Sequence, residues 1–136
     1  MKFFHFITIL LCLFGVSLKA QTFSDSPSAA IPDDQTLNCY NVTVTGVGTL
    51  NSSNGLESVC IDIEHRWISD MDVTLVAPDG TTVELTTDNG GSGDDYTSTC
   101  FSSTAGTDIT SGSAPFTGTF LPEGDLSDFN NGSSGD

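Results

Sequence analysis

The sequence predicts an all-β fold of the β-sandwich class. Past the first twenty residues, apolar side chains alternate with polar ones at a period of two, and the alternating runs are separated by Gly-, Ser-, Asn- and Asp-rich turns. No later stretch shows a sustained helical period, so short strands folded into two packed layers are the expected architecture.

The chain begins with Lys2, an apolar run from Phe3 to Val16 and the small-residue site Leu18-Lys19-Ala20. Residues 1–20 read as a cleaved secretory signal peptide, because the apolar core is too short to span a bilayer. A lipid anchor at Cys12 is a weaker reading, since Leu11 is a poor residue before a lipidated cysteine. The mature chain then starts at Gln21 and holds one domain with a modest core. Residues 21–37 carry Ser, Pro and Asp without apolar period and read as a linker, leaving 38–136 as the domain.

Within it, Tyr40, Val42 and Val44 alternate with Asn41, Thr43 and Thr45, predicting a first strand. Val59, Ile61 and Ile63 predict a second, and Met71, Val73, Leu75 and Ala77 a third. Pro78-Asp79-Gly80 then supplies a fixed backbone angle, a turn carboxylate and a left-handed glycine, so Met71–Ala77 should pair with Thr81–Thr87 as a hairpin. Cys100-Phe101 and Phe116–Phe120 complete the strand-like runs, with Gly118 a place for close approach of another segment and Phe116 and Phe120 facing inward. Trp67 is expected to pack where the third strand begins.

Signal cleavage leaves Arg66 alone against 18 acidic residues. Such a field repels nucleic acid and anionic membranes, which excludes both as partners, and it favours calcium among the carboxylates. Three cysteines remain, Cys39, Cys60 and Cys100; export permits a disulfide, and any of three pairings leaves one thiol over.

His65 is the one histidine after the signal. Ser69 and Asp70 stand near it in sequence, but a triad is defined by geometry, and no Gly-x-Ser-x-Gly elbow is present. The expected role of His65 is structural, a ring hydrogen-bonded to backbone at a loop corner, and no catalytic residue is assigned. Zinc lacks any Cys-x-x-Cys or His-x-x-x-His spacing. Calcium has better donors: Asp88, Asp94 and Asp95 flank Asn89 and a glycine run, while Asp70 and Asp72 project from one face of a strand. These five carboxylates form the candidate calcium set, and the competing reading is a solvated acidic loop.

The order Ile63, His65, Trp67, Asp70, Met71, Val73, Leu75, Pro78, Gly80, Thr81 resembles the P domain, or Homo B domain, of proprotein convertases and bacterial subtilisin-like serine proteases. The blocks Asn89-Gly90-Gly91 with Gly93-Asp94, Pro115–Phe120, and Pro122-Glu123-Gly124 with Leu126 and Phe129 extend the resemblance across 39–136. It implies a jelly-roll β-sandwich of galactose-binding-like architecture, without catalytic residues, that lacks its last strand here. The implied role is a stabilising or binding module of a secreted multidomain protein, with calcium as ligand and the protein's other domains as partners. Two alternatives accompany it: an accessory domain of a subtilisin-like endopeptidase whose catalytic part lies outside these residues, and a module binding carbohydrate or cell surfaces.

Overall fold

A computed structural model describes residues 20–32 and 34–136. The signal-peptide reading covers residues 1–20, all but Ala20 of which lie outside the described residues. Five strands form: β1 (Ser58–Ile63), β2 (Asp72–Val76), β3 (Thr82–Thr87), β4 (Tyr96–Ser102) and β5 (Phe116–Phe120). Helical structure among the described residues is limited to 3-10 turns at Ile68–Asp70, Ile109–Ser111 and Leu126–Phe129. The strands make a three-stranded sheet in the order β1-β4-β5 and a two-stranded sheet β2-β3, the all-β, two-sheet arrangement expected.

The hairpin follows its turn chemistry. Ala77 N–H donates to Thr81 O at 2.8 Å, Gly80 N–H to Ala77 O at 2.9 Å, and Thr81 N–H to the Asp79 carboxylate at 2.9 Å. Gly80 takes a φ of 87°. The pairing slips between Val73 and Thr74, where β3 supplies one residue more than β2. Leu85 and its neighbour Thr86 are consequently both buried, which strict alternation forbids.

A second bulge shapes β4. Ile61 and Ile63 face Thr99 and Tyr96, and on the other side Gly118 and Phe116 face the same two residues, so the extra residue lies at Thr97-Ser98. Ser98 has a φ of 49°, and the Asp62 carboxylate of β1 accepts from its N–H at 3.2 Å and its hydroxyl at 3.3 Å. That contact satisfies the backbone group that the bulge removes from the ladder. β1 joins β4 antiparallel and β5 joins it parallel, the latter through the long connection 103–115.

The core gathers side chains from both sheets: Val83 and Leu85 of β3, Tyr96 and Phe101 of β4, Phe116 of β5, with Ile68, Ile109, Leu126 and Phe129 from the three 3-10 turns. Tyr96 and Phe116 stack at 5.3 Å, and Phe120 meets Phe116 edge-on at 5.6 Å. The Tyr96 hydroxyl lies 3.4 Å from Thr86 Oγ1, and burial raises its pKa above the ordinary phenol value.

Two expectations change, and the open disulfide pairing is decided. Tyr40–Val44 is not a strand: no described segment pairs with it, and Tyr40 and Val42 are exposed. Gly118 is not a point of close approach, since nothing lies within 4 Å of where a Cβ would stand. Its φ of 101° opposite the β4 bulge is what demands glycine. The disulfide is Cys60–Cys100, joining residues directly opposed on β1 and β4, and Cys39 is free and exposed.

A short antiparallel ladder outside the two sheets closes the fold. Leu50 N–H donates to Ser133 O, Gly132 N–H to Leu50 O and Gly135 N–H to Gly48 O. The Asp136 carboxylate accepts from the N–H groups of Val47 at 2.8 Å and Gly48 at 3.1 Å. Asp79 meanwhile accepts from Asn131 Nδ2 at 2.8 Å, tying the hairpin turn to the same C-terminal segment.

Hydrogen bonds from Ser133, Thr81 and Asn131 hold the Asp79 carboxyl well below its ordinary value of 3.8, and those from Val47, Gly48 and Gly46 lower Asp136. A depressed carboxylate stabilises the fold above its unfolded value and ceases to do so as pH falls through the folded one. Urea unfolding followed by circular dichroism should therefore show stability declining below about pH 4, with a shallower decline in Asp79→Asn.

The disulfide closes a loop of sequence separation 40, contributing about 4 kcal/mol in the chain-entropy account. Replacing both partners, Cys60→Ala with Cys100→Ala, should lower unfolding free energy by about that amount; unaltered urea curves would show that the sheet needs no cross-link.

Candidate functional site

The residues between β1 and β2 meet the loop between β3 and β4, and the corner they form carries most of the candidate side chains. Ile68 is fully buried and pulls the 3-10 turn Ile68–Asp70 against the core. Its N–H donates to Gly93 O at 3.2 Å, and Ser69 N–H to Gly91 O at 3.4 Å. Gly90 packs on this turn at a φ of 85°; a Cβ there would stand 2.6 Å from Ile68 Cδ1 and 2.9 Å from Phe116 Cε2. Glycine is required by conformation and by space together.

His65 and Asp95 lock the other side. Asp95 N–H donates to His65 O at 3.0 Å, and the Asp95 carboxylate accepts from His65 N–H at 2.9 Å. The His65 Nδ1 lies 3.1 Å from Trp67 O and 3.4 Å from Trp67 N, accepting or donating according to its tautomer. This is the structural role expected of His65. Neither Ser69 nor Asp70 is among its hydrogen-bond partners among the described residues, so no triad forms.

Trp67 departs from expectation. It is 57 % exposed rather than packed where the strand begins. Its backbone is pinned by the His65 ring while the adjoining Ile68 takes the buried position, so the indole is displayed on a fixed corner beside exposed Arg66. One buried residue in this short turn is enough to seat it, and Ile68 fills that place.

The five candidate calcium ligands spread along the corner. Asp70 closes the 3-10 turn, Asp72 opens β2 opposite Thr87, and Asp88 follows that residue with a φ of 54°, so these three belong to the open end of the hairpin. Asp94 is exposed on the loop, and Asp95 is committed to His65. Among the described residues, no three metal-ligating side chains come together. The carbonyls of Gly90, Gly91 and Gly93, donors expected to turn inward, each accept a backbone hydrogen bond. The loop geometry is thus explained by protein contacts, and the carboxylates do not converge on a ready-made cage.

Sequence reasoning missed the role of Glu123. Its Oε1 accepts from Thr87 N–H at 2.7 Å and Asn89 Nδ2 at 2.5 Å, fastening the end of β3 to the chain after β5. Partners more than thirty residues apart leave no local pattern to find. Beside it runs a shallow groove of about 430 Å³ lined by Leu121, Pro122, Glu123 and Asp125. Asp125 accepts from Ser127 N–H at 2.8 Å at the start of the last 3-10 turn, so both of these carboxylates serve the fold.

The arrangement defines a small disulfide-bridged β module whose polar side chains chiefly tie loops together. Residues 57–112, less than half of the chain, match the family model described as the proprotein convertase P-domain, so this segment is similar to that family. The match takes in β1 through the 3-10 turn Ile109–Ser111 and ends before the Pro115–Phe120 block. No solved structure gives a significant match to the chain.

Two substitutions separate the scaffold from the display. Asp95→Ala should cost about 1–2 kcal/mol through the unpaired corner backbone, whereas Trp67→Ala should change stability by less than about 0.5 kcal/mol. Chemical denaturation of the two variants provides the comparison.

Proposed function

We propose that this chain carries a non-catalytic P-domain module of a secreted multidomain protein, which stabilises a neighbouring domain by docking against it. The observation that carries the reading is the family match over 57–112, because the P-domain is an accessory domain of convertase and subtilisin-like proteins. A rigid corner that offers an aromatic side chain to solvent supports docking in particular, since aromatic anchors supply much of the affinity of protein interfaces. In the protease version of this reading the neighbour is a subtilisin-like endopeptidase domain outside these residues. Among the described residues, no helix is long and apolar enough to cross a membrane.

Calcium belongs to the proposal as an ion gathered at the hairpin's open end and the adjoining loop, by Asp70, Asp72, Asp88, Asp94 and Asp95. Its support is the excess of 18 acidic residues over three basic ones in the full chain. A second reading, a carbohydrate- or cell-surface-binding module, is favoured by one observation, the solvent-facing indole of Trp67 beside Arg66.

The test is the thermal stability of the neighbouring domain in the natural full-length protein, with and without residues 38–136. Deletion should lower that domain's Tm, and Trp67→Ala should reproduce part of the loss while leaving the β module folded. An unchanged neighbour, together with glycan binding that vanishes in Trp67→Ala, would replace docking by the second reading. Calcium should raise the module's Tm, and Asp94→Ala with Asp95→Ala should reduce the rise; no rise removes the ion from the proposal.

A further inference from the structure

Cys60 and Cys100 are joined across β1 and β4, and Cys39 is a thiol that neither the fold nor the proposed docking uses. Cys60 lies on the outward side of β1, where Ser58, Cys60 and Asp62 are exposed and Val59, Ile61 and Ile63 turn toward the core. β1 is the edge strand of its sheet, so the Cys60–Cys100 bond sits at the rim of the outer face. Cys60 is exposed and Cys100 half-buried, so Cys60 is the more accessible residue of the pair.

Cys39 is exposed on a segment that is not anchored to the sheets. Side-chain hydrogen bonds of residues 20–45 stay inside that segment among the described residues, and the first attachment to the fold comes at Gly46–Gly48, held by Asp136. The stretch from Cys39 to Gly46 reaches about 25 Å when extended, while a domain of this size has a radius of gyration of about 12 Å. Cys39 is therefore tethered within range of the rim. Cys39 and Cys60 also close a shorter loop than Cys60 and Cys100, so loop-closure entropy does not oppose the alternative bond.

We propose that Cys60–Cys100 is an exchangeable bond and that Cys39 is its resident exchange partner, giving the chain a second covalent form bridged Cys39–Cys60. The Cys39 thiol gives its proton to solvent and the thiolate attacks Cys60 Sγ. The Cys39–Cys60 bond forms as the Cys60–Cys100 bond breaks, and the released electron pair stays on Cys100 Sγ, which takes a proton from water. One disulfide is made and one is lost, so no oxidant or reductant is consumed. The exchange moves the cross-link from between two strands to between the edge strand and the N-terminal arm, fastening residues 20–38 beside the outer face.

The folded chain, residues 21–136, is incubated between pH 6 and pH 8, quenched with acid, alkylated and digested without reduction, and its peptides are weighed. The expected result is a Cys39–Cys60 peptide with alkylated Cys100, formed about tenfold faster per pH unit in this range and at a rate independent of protein concentration. Cys39→Ser should show only Cys60–Cys100. Retention of Cys60–Cys100 alone in the parent chain overturns the proposal, as does a Cys39–Cys100 bond. Dimers linked through Cys39, with a rate rising with concentration, overturn it as well.

Discussion

Everything in this fold depends on β4 being paired on both sides while it carries an extra residue. Its burial of Tyr96, Thr99 and Phe101 supplies the middle of the core, and its bulge at Thr97-Ser98 keeps those three side chains inward despite the odd spacing. A bulge in a doubly paired strand leaves unsatisfied backbone on a central element, a cost that must be offset locally. Asp62 from β1 supplies the acceptor on one side, and Gly118 of β5 supplies the backbone conformation on the other. Thr99 adds a hydroxyl that donates to Phe116 O at 2.8 Å, which fixes the register of the parallel pair.

The same strand links the candidate corner to the core. Asp95 precedes β4 directly, holds His65 through two hydrogen bonds, and accepts from Phe116 N–H at 3.1 Å through its own carbonyl. Residues from three separate parts of the chain therefore converge on one backbone unit. Ile68 and Gly90 close the corner from the core side, so the indole of Trp67 is presented by a support with little freedom to yield. Interfaces benefit from such preorganisation, because an anchor already held in place loses less conformational entropy on contact.

Much of this architecture was legible in the sequence, where local chemistry decides structure. Alternation marked β1, and Pro78-Asp79-Gly80 marked the hairpin because each residue has a distinct backbone reason to be there. His65 was recognisable as a corner residue, although its partner Asp95 was not. The failures concern contacts that span the chain. Tyr40–Val44 has the alternation of a strand, yet alternation states only which face would be buried, and a ladder needs a second segment. The burial of Thr86 beside Leu85 was not legible, because a bulge cannot be counted from one strand alone. Among the site residues, the Asp70–Asp95 carboxylates were visible as a charge cluster. Their separation was not, because it follows from the hydrogen bonds that already occupy the loop carbonyls.

The ladder that joins residues 47–50 to residues 132–136 has a mechanical consequence. Val47 is held by Asp136, so tension entering through residue 46 and leaving through residue 136 acts on the same end of that ladder. Hydrogen bonds loaded this way separate one after another, as in a zipper, instead of sharing the load as strands pulled past each other do. The first bonds to part would be those of the Asp136 carboxylate, then Gly135 to Gly48, while the bulged sheet and its disulfide remain unstrained. The module is thus built with a compliant seam at its flanks and a stiff body behind it.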